Sequence, residues 1–103
     1  MEKEMVLLAV SDKKQREIKR QDGSVKMLAY REVTMTDGVD TIYGETSESL
    51  TAQIDSDNPA IKIPMLEGHL YKVRFNIRTA TYEKDGKKSA FVNVSIHQLY
   101  LLV

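Results

Sequence analysis

The chain has no cysteine and no tryptophan, only two prolines and five glycines, and no net charge. Without cysteine there is no disulfide, thiolate zinc site, iron–sulfur cluster or thiol nucleophile, and the absence fits a reducing, cytoplasmic setting. The apolar stretch nearest the start, Met5 to Val10, is six residues long and follows the charged Met1-Glu2-Lys3-Glu4. A signal peptide needs a longer apolar run behind a basic start, and a membrane helix needs about 20 apolar residues, so neither is expected. The glycines are well separated and open no helix, which argues against a phosphate-binding loop. What remains is 103 residues, 42% hydrophobic and 29% charged. That is ordinary globular composition, enough for one core and too short for a two-domain enzyme, so residues 1–103 are read as one domain.

The periodicity that is present is two, not 3.6. Over residues 69–82, Tyr71, Val73, Phe75 and Ile77 share one face, and Lys72, Arg74, Asn76 and Arg78 share the other. Asp85-Gly86 signals a tight turn, and Ala90 to Val103 returns with Val92, Val94 and Ile96 facing the core. Upstream, Met5–Val10 reads as a strand buried on both faces, followed by a polar connection from Ser11 to Ser24. Val25–Thr36 reads as a strand whose apolar face is interrupted by Arg31. After the Asp37-Gly38 turn, Thr41–Ile54 reads as a weaker strand bent at Gly44. Residues 55–68 hold both prolines, and Ile61, Ile63 and Leu66 are expected to plug the end of a barrel. No amphipathic helix, repeat or low-complexity segment stands out. The expected fold class is all-β: a five-stranded antiparallel Greek-key barrel of the OB-fold type, with an SH3-like barrel as the nearest competitor.

Catalytic constellations are thin. His69 and His97 are the only histidines, and two ligands without a carboxylate cluster fall short of a zinc site. No G-x-S-x-G elbow supports a hydrolytic serine. Neither an enzyme nor a cofactor is expected.

Charge, in contrast, is arranged in blocks. Residues 11–31 carry seven cations (Lys13, Lys14, Arg16, Lys19, Arg20, Lys26, Arg31) against three acids, whereas residues 32–59 carry seven acids and no Lys or Arg. Residues 60–88 again carry seven cations against three acids. On a strand, Lys72, Arg74 and Arg78 project from one face at intervals of roughly 6.6–7 Å per two residues, which suits the tracking of a phosphate backbone. Lys13, Lys14, Arg16, Lys19 and Arg20 fall in the first connection, and Lys84, Lys87 and Lys88 in the last hairpin. In an OB-fold those two connections flank the nucleic-acid groove. Phe91, Tyr82 and Tyr30 are the aromatics placed to stack on bases, a contact worth about 1–3 kcal/mol per base.

The opening strand MVLLAV, the connection SDKKQREIKRQDGS and the hairpin YKVRFNIRTATYEKDGKKSAFVNVSIHQLYLL together resemble, in layout, the single-stranded DNA-binding protein family in its short single-OB form. The length is similar to that of the primosomal replication protein. The resemblance implies binding of single-stranded DNA with little sequence preference, and assembly into homo-oligomers. The family's stacking Trp and acidic C-terminal tail are missing. RNA in place of DNA stays open, since the 2′-hydroxyl contact leaves no sequence signature. The alternative from another class is a small β-barrel for protein assembly, of the kind found in phages and mobile elements. It would use the acidic block (Asp37, Asp40, Glu45, Glu48, Asp55, Asp57).

Overall fold

Two strands of fifteen residues, β6 (Leu70–Lys84) and β7 (Lys87–Leu101), form the longest element of the computed structural model, which describes residues 1–102 apart from the side chains of Ala80, Tyr82 and Phe91. Asp85 and Gly86 both adopt left-handed backbone (φ 54° and 76°) in the two-residue turn between them, the geometry that matches the twist of paired strands. The remaining strands are β1 (Glu2–Val10), β2 (Lys14–Lys19), β3 (Val25–Tyr30), β4 (Glu32–Thr36) and β5 (Thr41–Thr46), and a helix α1 (Glu48–Ile54) follows β5. Five of the strands close a barrel in the order β1-β4-β5-β7-β6, and β2 and β3 pair separately as a two-stranded ribbon.

The all-β barrel matches the sequence reading, with three corrections. The barrel is mixed rather than antiparallel: β5 and β7 run parallel, with Glu45 opposite Ser95 and Thr46 opposite Ile96. Parallel pairing follows from the path, because the chain crosses the barrel end after β5, descends in β6 and returns in β7. Second, residues 48–54 are helical and do not extend the strand before them. Ser47 caps the helix by accepting the Leu50 N–H, and Leu50 and Ile54, one turn apart, are buried. These two side chains close the barrel end. Of the residues expected to do so, Ile63 packs against the core, whereas Ile61 and Leu66 are exposed. Third, the first connection is not a loop. It contains β2, which pairs with β3 from Lys14 opposite Tyr30 to Lys19 opposite Val25.

Core residues come from every barrel strand but β5: Met5 and Leu7, Val33 and Met35, Tyr71, Val73 and Phe75, Ile96 and Leu99. The buried Tyr71 hydroxyl donates to the Pro64 carbonyl and accepts the Leu66 N–H, which ties the proline-containing connection to the barrel. Ile77 (47% exposed) and Val92 (62%) were expected in the core and are not. Among the described residues β1 pairs β6 only over Leu70–Arg74, and β5 pairs β7 only at Ser95 and Ile96, so beyond those rungs no third strand is paired to the long hairpin.

At the parallel seam β5 contributes Gly44. A Cβ there would lie 3.0 Å from the Ile96 Cδ1 and 3.1 Å from the Val94 Cγ1. A side chain at position 44 would press on these two side chains, which fill the space over the glycine. Gly44→Val is expected to lower unfolding free energy by about 1–3 kcal/mol through overpacking. Urea unfolding followed by far-UV circular dichroism measures this, and an unchanged midpoint would show that the seam has room to spare.

Candidate functional site

The β1–β4 hairpin does not stop at the barrel rim. Ser11 still exchanges hydrogen bonds with Glu32, and pairing resumes at Lys14 opposite Tyr30. Between those rungs Asp12 and Lys13 oppose Arg31 alone, a bulge that bends the continuation into the β2–β3 ribbon. Arg31 fixes the bend. Its guanidinium donates to the Ser11 carbonyl (2.8 Å) and to Asp55 at the end of α1 (2.7 and 3.2 Å). Its backbone N–H donates to the Thr46 hydroxyl (2.9 Å), and its carbonyl accepts the Thr46 N–H (2.9 Å). The Thr51 hydroxyl donates to the Ser47 carbonyl and lies 2.7 Å from that of Thr46, so these two buried hydroxyls are fully partnered.

Bent this way, the first ribbon lies over the β5·β7 seam. Arg16, Leu28 and Tyr30 from it, and Arg78, Asn93 and Ser95 from the long hairpin, line one cavity of about 250 Å³ floored by residues 45–47. A shallower depression sharing Glu45, Asn93 and Val94 continues along β5 past Tyr43, whose ring is 70% exposed, and Val92. Tyr43 was not among the expected site residues. The alternation of Thr41, Tyr43 and Glu45 against Ile42, Gly44 and Thr46 carried the signal, but it is short and runs straight into the helix.

Of the expected residues, the structure therefore brings Arg16, Tyr30 and Arg78 to one cleft. Lys72 and Arg74 lie elsewhere, in a groove with Gln98 and Tyr100, and both meet Glu2 across the β1·β6 pair (2.8 and 3.7 Å). The Lys72 hydrogen bond holds the Glu2 carboxyl below its ordinary range, and Glu2 in turn raises Lys72. The side chains of Tyr82 and Phe91 lie outside the described residues.

The first basic block and the acidic block meet in ion pairs at the surface. Lys14 pairs with Glu32 (3.0 Å), Arg16 with Glu45 (2.6 Å), Lys26 with Glu48 (2.9 Å) and Arg31 with Asp55 (2.7 Å), each joining the first basic block to the acidic one. The hydrogen bonds that Lys14 donates to Glu32 and Arg16 donates to Glu45 raise both cations above their ordinary values. Among the described residues Lys13, Lys19, Arg20, Arg78, Lys84, Lys87 and Lys88 form no ion pair, and several of these sit at the two ribbon ends. His97 bonds Asn76 (3.1 Å), and no group of three or more His, Asp or Glu side chains suited to a metal ion occurs among the described residues.

Comparison of the chain with protein-family models, curated proteins and solved structures finds no match in any of the three. Among the described residues no helix is long and apolar enough to cross a membrane.

Arg31→Met removes the guanidinium bonds while keeping a long side chain. The expected cost is about 2 kcal/mol, the range of hydrogen bonds to charged groups. Hydrogen exchange should show the β2–β3 amides losing protection while those of β1 and β6 keep theirs. Uniform loss across the barrel, or none, would contradict the role given to Arg31.

Proposed function

We propose that the chain is a non-enzymatic, single-stranded nucleic-acid-binding domain of OB-fold type, with DNA as the first candidate ligand. Counting barrel strands alone, the order round the barrel is first, second, third, fifth, fourth, and a helix follows the third. That order supports the OB-fold reading. The β2–β3 ribbon then corresponds to the connection between the first two barrel strands, and the β6–β7 tip to that between the last two, the positions that flank an OB-fold's groove.

The observation that carries the reading is the single cleft lined by cationic and aromatic side chains from both ribbons, Arg16 and Tyr30 on one side and Arg78 on the other. Single strands are bound by a cationic groove that follows the backbone together with aromatic faces on which bases stack. The exposed Tyr43 supplies an aromatic face along the cleft, and Tyr30 is the ring on which Arg16 rests. Arg78 and the unpaired cations of the ribbon ends (Lys19, Arg20, Lys84, Lys87, Lys88) supply backbone contacts. Lys72 and Arg74, already matched by Glu2, contribute little in this reading.

A second reading, a protein-assembly module, is favoured by one observation. Val25 and Met27 leave about half their surface exposed on the ribbon face away from the cleft, as suits a protein contact.

Fluorescence anisotropy with a labelled dT oligonucleotide of about 30 nucleotides separates the two. Binding is expected to be micromolar or tighter and to weaken steeply with salt, with duplex bound less well. Lys84→Glu, Lys87→Glu and Lys88→Glu together should weaken it at least about tenfold and reduce the salt slope, at about 0.7 per lost phosphate contact. The melting temperature should hold, because these side chains are exposed at the hairpin tip. No binding at low salt would remove the nucleic-acid reading.

A further inference from the structure

Arg16 is held in a way that suits a base better than a phosphate. Its guanidinium is bidentate with Glu45, Nη2 to Oε2 at 2.6 Å and Nη1 to Oε1 at 3.4 Å, which occupies much of its in-plane donor fork. Its Cζ lies over the Tyr30 ring, 4.7 Å from the ring centroid. Half of the side chain is still accessible (52%), and Arg16 lines the cavity. Glu45 already neutralises the charge that a phosphate would read and takes up the Nη1/Nη2 fork, whereas a base stacked on the guanidinium needs neither. Arg planes stack on unpaired bases much as aromatic rings do. The same cavity is lined by Asn93 and Ser95, whose side-chain polar atoms make no hydrogen bond among the described residues and are left to meet a base edge. At about 250 Å³ the cavity is smaller than the roughly 300–1,000 Å³ typical of drug-sized ligands, and suits one heterocycle.

We propose that Tyr30, Arg16 and Glu45 form a layered platform for a single nucleobase, with Arg16 sandwiched between Tyr30 and the base and with Asn93 and Ser95 at the base edge. The proposal rests on the nucleic-acid reading above. It assigns Arg16 to base stacking, and the flexible cations of the ribbon ends to the backbone.

Arg16→Lys tests it, because lysine keeps the charge and its reach to Glu45 but has no plane. With dT oligonucleotide the variant is expected to bind about tenfold more weakly, within the range of one lost stacking contact, with the salt slope unchanged. With a fully abasic oligonucleotide of the same length, variant and wild type should bind alike. Tyr30→Leu, which removes the supporting layer, should give the same pattern and carries the test if Arg16→Lys does not fold. Wild-type affinity for dT in Arg16→Lys, or an equal loss on abasic and normal strands, would overturn the platform while leaving nucleic-acid binding in place. Failure of the wild-type protein to bind dT at all would overturn both.

Discussion

One residue, Arg31, joins four segments that would otherwise be independent: it sits at the junction of β3 with β4, its guanidinium holds the end of β1 and the end of α1, and its backbone N–H and carbonyl hold the end of β5. A two-stranded ribbon with no third strand is marginal in water and takes its direction from whatever anchors its root. The root here is the bulge at Asp12 and Lys13, and Arg31 is the group that occupies it. Because Arg31 is tied to Thr46 and Asp55, the ribbon leans over the β5·β7 seam and not out into solvent. The cleft depends on that direction. Gly44 makes the complementary contribution from within, allowing the seam under the ribbon to close.

The charge pattern has a double meaning. Blocks of opposite sign along a chain suggest a polarised surface, but here the first basic block and the acidic block fold against each other. An exposed ion pair contributes little to stability, about 0–1 kcal/mol. Its larger effect is on what stays available to a ligand. Pairing removes Lys14, Arg16, Lys72 and Arg74 from the pool of free cations and leaves those near the ribbon ends. It also explains how a chain with no net charge can still hold cations without a carboxylate partner among the described residues.

The long hairpin was legible in the sequence because its alternation holds over Tyr71–Arg78 and Val92–Ile96 and its Asp-Gly turn allows only a few geometries. The strand count was less so. Lys14–Lys19 carries one apolar residue, Ile18, and an exposed ribbon strand needs no more, so no period appears. Arg31 looked like a flaw in an apolar face, and is instead the residue at which one strand becomes two. The helix is seven residues long with two buried apolar positions, too short for a 3.6-residue period to emerge. Ile77 and Val92 follow the core pattern perfectly and are exposed, since a period of two records the face of a strand but not where its neighbours end. For the site, residue type identified Arg16, Tyr30 and Arg78, while only the register and the bend show that they share a cleft. Tyr43 needed the boundary between β5 and α1.

The most direct test of the account is a titration of isotopically labelled protein with a short dT oligonucleotide, followed by amide chemical shifts. Perturbations are expected to cluster at residues 16, 28–30, 43–47, 78 and 93–95, with the groove of Glu2, Lys72 and Arg74 unmoved. Shifts centred on that groove, or none at saturating oligonucleotide, would contradict the claim that the two ribbons frame a binding face.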